Sequence, residues 1–173
     1  MRIGEKMKWV TRQYVHVDRT ACPWLIGRFV DPEAEFIFAP VEGIEEIVKK
    51  EKAIPYDAPN AELGHHGEKC SFDAIVEKYK INDLAVWELA EIVRAADTDK
   101  MENVPEAAGL EAIMTGIGIV AEDDYDAIEK ARPVYEALYA YCKMKFVREK
   151  HGDEIEKMDR KQRREFLKKK IMD

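Results

Sequence analysis

The residues best suited to chemistry fall in one stretch, Glu62–Leu63–Gly64–His65–His66–Gly67–Glu68–Lys69–Cys70–Ser71–Phe72–Asp73. It contains two of the chain's four histidines and one of its three cysteines. Glycines bracket the histidine pair, so the backbone can bend and point both rings toward one spot. Apolar residues at helical spacing begin at Phe72, which puts Cys70 or Ser71 at a helix start. Unpaired N–H groups there favour a thiolate, a carboxylate or a bound anion. Imidazole and thiolate are the usual ligands of borderline metals. The alternative is that His65 and His66 are ordinary loop residues and Asp73 only complements the helix dipole; the close spacing of His, His, Cys and Asp argues for function.

Two further clusters have ligand character. His16–Val17–Asp18–Arg19 ends an expected strand, and ligand sites in α/β sheets gather at the carboxyl ends of strands. His16 and Asp18 are candidate metal ligands, and the planar fork of Arg19 suits an oxyanion. Against this stands a half-buried histidine beside an Asp–Arg surface pair. Asp97 and Asp99 follow the helix that carries Arg94, where two carboxylates and the negative end of the dipole can hold a cation. They could equally start a turn and cap the next segment. Cys22, before Pro23 at an expected helix start, should have a lowered pKa if exposed, which makes Cys22 and Cys70 the redox thiol candidates. Cys142 lies on an apolar helical stripe and reads as core.

These groups need a scaffold. Lys8–Val17 reads as a strand, rich in β-branched and aromatic residues. Cys22–Val30 reads as a helix, with Pro23 in its first turn and Asp31–Pro32 as its stop. Glu35–Ala39 is a second strand, Ile44–Lys50 an amphipathic helix, and Ile54–Pro59 extended because of its prolines. The signal is then helical: Phe72–Lys80, Leu84–Ala96, Pro105–Val120 with three internal glycines, and Asp124–Lys150. Pro133 should kink the last of these or mark its true start. Glu154–Ile171 is a charged extension. The order predicts an α+β fold, with an α/β-like start: a small N-terminal sheet with helices, then a helical C-terminal half. Residues 1–152 read as one domain and 153–173 as a basic helical extension.

Composition narrows the classes. With 46% hydrophobic and 36% charged residues, the chain fits a globular protein with a sizeable core. It has no apolar run long enough to span a bilayer and no signal-peptide pattern, so a cytoplasmic location without membrane association is expected. Three cysteines without a CxxC pair argue against a disulfide framework or a closed zinc finger. The net charge of −7 is uneven. Residues 1–142 carry −12, whereas Lys143–Lys170 carry +6. Acidic residues at helix-pair spacing within this basic arm suit a solvated helix or an oligomer contact better than nucleic acid. Nothing matches GxGxxG, GxxxxGK[ST] or GxSxG, which gives no support to nucleotide binding or a serine triad.

Longer blocks carry a resemblance. Trp9–Arg12, His16–Arg19 and Ala21–Ala34, then Glu62–Asp73, Ile92–Asp99 and Ala137–Ala140, occur in the order seen in the C-terminal domain of the chromate-resistance protein ChrB, and the chain resembles that family over residues 8–145. The resemblance implies a role in the response to chromate or oxidative stress, as a regulator of that response. It also implies that the three clusters belong to one domain.

The resulting expectation is a cytoplasmic metal-binding domain. His16, Asp18, His65, His66, Asp97 and Asp99 would hold one divalent metal (Zn, Fe or Mn), and Arg19 and Arg94 would face an oxyanion or small anionic ligand. Two other readings stay open: a metal-dependent enzyme, hydrolase or oxidoreductase, with catalytic residues unassigned, and a non-catalytic sensor or regulatory module. The basic arm leaves room for a homo-oligomer.

Overall fold

The computed structural model describes residues 6–98 and 100–172. Asp99, one of the expected ligands, lies outside the described residues. The fold is α+β. Strand β1 (Lys8–Arg12) is the centre of a three-stranded parallel sheet, flanked by β2 (Glu35–Ala39) and β3 (Ile54–Pro55). Trp9 pairs with Phe36 on one side and Ile54 on the other. As the middle strand it is the most enclosed, and Trp9, Val10 and Thr11 are fully buried. Parallel neighbours require crossovers, which α1 (Val17–Phe29) and α2 (Ile44–Glu51) supply.

Among the described residues five α-helices follow the sheet: α3 (Ser71–Lys78), α4 (Leu84–Asp97), α5 (Pro105–Val120), α6 (Asp124–Glu156) and α7 (Arg160–Met172). Among the described residues no helix is long and apolar enough to cross a membrane. The main core lies where α1, α3, α4 and α6 meet. Trp24 stacks on Phe72 at 6.5 Å and packs against Tyr135 and Tyr139, gathering four aromatic rings in one place.

The first strand is shorter than its composition suggests. It ends at Arg12, and the chain turns through Tyr14 with φ 61°. The helix begins at Val17 with His16 as its N-cap, so His16 and Asp18 stand at a helix start and not at a strand end. Moving that start also corrects the place of Pro23, which sits inside α1 and forgoes a bond to the carbonyl one turn earlier. Pro133 likewise lies within α6 without breaking it; the non-helical residue is His151 (φ −124°, ψ 22°). The helix can absorb Pro133 because the surrounding turns stay packed on α1 and α4 through buried Ala131 and Tyr135.

Tyr135 fixes the start of α1 against α6. Its hydroxyl is 2.8 Å from both the Val17 carbonyl and Thr20 Oγ1, inside a fully buried environment. Tyr135→Phe should therefore lower unfolding free energy by about 1–2 kcal/mol, read from urea denaturation, with little change in secondary structure by circular dichroism.

Candidate functional site

Three elements bring acidic side chains to one point. Asp18 projects from the first turn of α1, Asp57 from the segment after β3, and Asp97 from the last turn of α4. The loop between β3 and α3 lays His65 across them. Its Nε2 is 3.2 Å from Asp97 Oδ2, 3.4 Å from Asp18 Oδ2 and 3.5 Å from Asp57 Oδ1.

The loop is held in this shape by local constraints. The Asp57 N–H donates to the Leu63 carbonyl at 2.9 Å, and His66 and Lys69 exchange two backbone bonds across the turn. Gly67 takes φ +64°, a conformation that favours glycine. At Gly64 a β-carbon would lie 3.0 Å from the Ala61 carbonyl oxygen, so the close approach of the backbone favours glycine there. The two glycines thus bend the loop as expected, but the rings diverge. His65 meets the carboxylates, while His66 Nε2 bonds the Glu62 carbonyl at 2.8 Å, within its own loop.

Asp18 is the most enclosed member, at 1% exposure. Its Oδ2 accepts the Ser71 N–H at 2.7 Å and its Oδ1 the Phe72 N–H at 3.0 Å, so it caps the start of α3 from a distance in sequence. Burial raises its pKa, yet the bond from His65 and the two backbone N–H groups together outweigh burial and hold the carboxyl below its ordinary value. Asp97 has less help. Burial, and then the negative charges of Asp18 and Asp57, push its carboxyl up to about 6. The bond with Asp18, aided by the charges of Asp57 and Asp97, raises the pKa of His65 against a smaller opposing effect of burial.

Asp57 is the residue that sequence reasoning missed. It has φ 41°, tolerated best by Asp and Asn among non-glycine residues, and is 4% exposed. Arg12 Nη2 approaches both of its oxygens, at 3.1 and 3.0 Å, and Arg19 Nη1 donates to Oδ2 at 2.8 Å. Arg12 Nε also donates to the Asp57 carbonyl at 2.9 Å. The available signal was an acid between Pro55 and Pro59, immediately before the glycine–histidine loop, where an extended linker has no evident use for a buried charge.

The other expected residues fall elsewhere. His16 Nε2 is 3.2 Å from Thr115 Oγ1 on α5. Arg19 is engaged with Asp57, and Arg94 donates to Asp73 at 2.7 Å. Asp73 in turn accepts the Cys70 N–H, completing the capping box of α3. Cys22 and Cys70, the redox thiol candidates, are both buried. Cys22 is buried inside α1, one turn after Asp18, and burial together with the Asp18 charge pushes its pKa well above the ordinary value. Cys70 does sit at a helix start, but burial and the charges of Asp18 and Asp73 push its thiol far up as well.

The donor set has a clear chemical character. One oxygen from Asp18, one from Asp57 and a ring nitrogen from His65 all lie within 4.8 Å of one another, and Asp97 adds a further oxygen on the His65 side. An oxygen-rich set with one imidazole suits Mn2+, Fe2+ or Zn2+. The imidazole can donate one N–H to only one of three carboxylates, so without a cation the acids repel one another.

That repulsion has a measurable sign. Folding raises the Asp97 pKa from 3.8 to about 6, so between those values the folded state keeps a proton that the unfolded chain has lost. Stability contributed by this group is full below the lower value and falls as pH rises through the window. The raised His65 pKa acts in the same direction, its contribution fading as pH climbs through the folded value. In metal-free protein above the upper value, Asp97→Asn should therefore be more stable than wild type by ~1–2 kcal/mol. Urea denaturation across pH would show this, with a flatter pH dependence in the variant.

A family model described as the ChrB C-terminal domain matches residues 9–142. Protein ChrB of Cupriavidus metallidurans is 30% identical over 135 residues, covering 78% of this chain and 40% of that protein. The chain thus spans two fifths of the length of that relative. No solved structure matches it. The chain belongs to the ChrB C-terminal domain family.

Proposed function

We propose that this domain binds one divalent metal through Asp18, Asp57, His65 and Asp97, and serves the chromate or oxidative stress response in that form. The observation that carries the reading is the convergence of three carboxylates on one imidazole nitrogen at 3.2–3.5 Å. Buried like charges are costly without a compensating cation. Arg12 and Arg19 compensate Asp57, which leaves Asp18 and Asp97 to share His65. Arg19, at 17% side-chain exposure, orients Asp57 from inside the fold. An oxyanion or small anionic ligand would approach from the side of Arg12 and His65, whose side chains are 39% and 41% exposed.

The exposed edge of His65 favours a second reading, a metal-dependent hydrolase or oxidoreductase, because an ion held from below would keep a position open toward solvent. A non-catalytic sensor would use the same ligands and report binding through a partner.

Metal analysis by ICP-MS on protein purified without chelator or affinity metal, followed by calorimetric titration with Mn2+, Fe2+ and Zn2+, tests the reading. Wild type should bind about one ion per chain, and His65→Ala and Asp97→Asn should each weaken binding at least about tenfold. His16→Ala and His66→Ala should bind as wild type. Binding should strengthen with pH through about 6, where Asp97 loses its proton. Equal affinity in wild type and His65→Ala would contradict the proposal.

A further inference from the structure

Helix α7 doubles back along α6, away from the carboxylate cluster. Lys143 Nζ donates to the Ile171 carbonyl at 3.0 Å, and the Phe166 ring meets His151 edge-on at 5.5 Å. Phe166, Leu167 and Ile171 are half-buried where the two helices pack. The outer side is basic. Seven of the thirteen residues of α7 are Lys or Arg, against the single acid Glu165, in a chain whose net charge is −7.

These cations are placed unlike those of the rest of the chain. Arg12, Arg19, Arg28, Arg94 and Arg132 each meet a carboxylate. Among the described residues no cation of α7 forms an ion pair, although acids stand at helix-pair spacing. Glu154 meets His151 instead, and Asp159 accepts the Gln162 N–H. The arrangement also works against the helix. Arg160, Lys161 and Arg163 fill its first turn, where the dipole favours acids. Arg160, Arg164 and Lys168 follow at four-residue spacing, where like charges repel. With Lys161 they make one exposed band, about 12 Å from end to end. A bound polyanion would relieve this repulsion.

The surroundings narrow the polyanion to a nucleic-acid duplex. A bilayer takes a basic helix by its apolar face, and that face of α7 is turned to α6. Single strands are held by bases stacked on aromatic rings, and the one ring on α7, Phe166, is engaged with His151. A duplex carries a negative charge per about 1.7 Å of its axis, so the band would face about seven phosphates. Guanidinium forks match phosphate oxygens in pairs. A screening length of about 10 Å at 0.1 M salt confines the repulsion of the acidic body to its own surface.

We propose that α7 is a sequence-independent binding surface for the phosphate backbone of a nucleic-acid duplex, with Arg160, Lys161, Arg164 and Lys168 as its contacts. The helix lies outside residues 9–142, so this surface is an addition to the family domain. The inference does not depend on the metal reading.

Fluorescence anisotropy of the full chain with labelled DNA duplexes of two unrelated sequences, at equal metal content, tests it. Both should bind alike, with a log–log salt slope of about −3.6, the value for four phosphate contacts. Arg164→Glu with Lys168→Glu should weaken binding at least about tenfold and flatten the slope. Lys49→Glu with Lys50→Glu on α2, an equal change in net charge, should leave both unchanged. Arg164→Ala with Lys168→Ala separates contact from folding: it should weaken binding in the same direction with helix content retained by circular dichroism. No duplex binding at low salt, or equal losses in the two charge-reversed variants, would overturn the proposal. So would competition by poly-L-glutamate or phosphatidylserine vesicles as strong as that by unlabelled duplex at equal charge.

Discussion

A carboxylate enclosed to 1% exposure cannot stay charged without strong partners. Asp18 finds them in the two leading amides of α3 and in the imidazole of His65. The start of α3 is fixed onto the start of α1 by this one side chain, and the junction of those helices defines the floor of the site. Burial, and then the same Asp18 charge, raise the pKa values of Cys22 and Cys70. The stacked Trp24 and Phe72 close the apolar side of the junction. The polar and apolar halves of the core therefore depend on the same helix-to-helix contact.

Asp57 introduces the opposite requirement. It is buried beside Asp18 and Asp97, and two guanidiniums are spent on holding it there. Arg19 also donates to the Tyr14 carbonyl at 3.0 Å, while Asp124 accepts the Tyr14 and Val15 N–H groups at 3.0 and 2.8 Å. The turn between β1 and α1 is thus tied at both sides, by a helix start more than a hundred residues away in sequence. Such over-determination is what allows a non-glycine residue to stay at positive φ. It also suits a site where ligand atoms must be held to within a fraction of an ångström.

Much of the frame was legible in sequence because it rests on local rules. Helix α5 was bounded correctly by Pro105 and the polar turn after Val120, and β2 by its apolar run. The glycine-bracketed loop and the start of α3 were also visible. What escaped notice depended on tertiary partners. Lys8–Val17 reads as a continuous strand until the left-handed turn at Tyr14 is known, and Pro23 reads as a helix start until α1 is seen to begin a turn and a half earlier. His65 and His66 are indistinguishable in sequence; only packing turns one toward the acids and the other toward the Glu62 carbonyl. Asp57 escaped because no short motif announces an acid that two distant arginines will enclose. Asp97 could be named as a ligand, whereas Asp99 stands outside the described residues.

The most direct test of the central claim is a crystal structure of the chain grown with Mn2+, read by anomalous scattering at the manganese edge. The account predicts one dominant anomalous peak at bonding distance, about 2.0–2.3 Å, from oxygens of Asp18, Asp57 or Asp97 and from His65 Nε2. A map with no peak among these four side chains, or with its peak at His16 or His66, would contradict it.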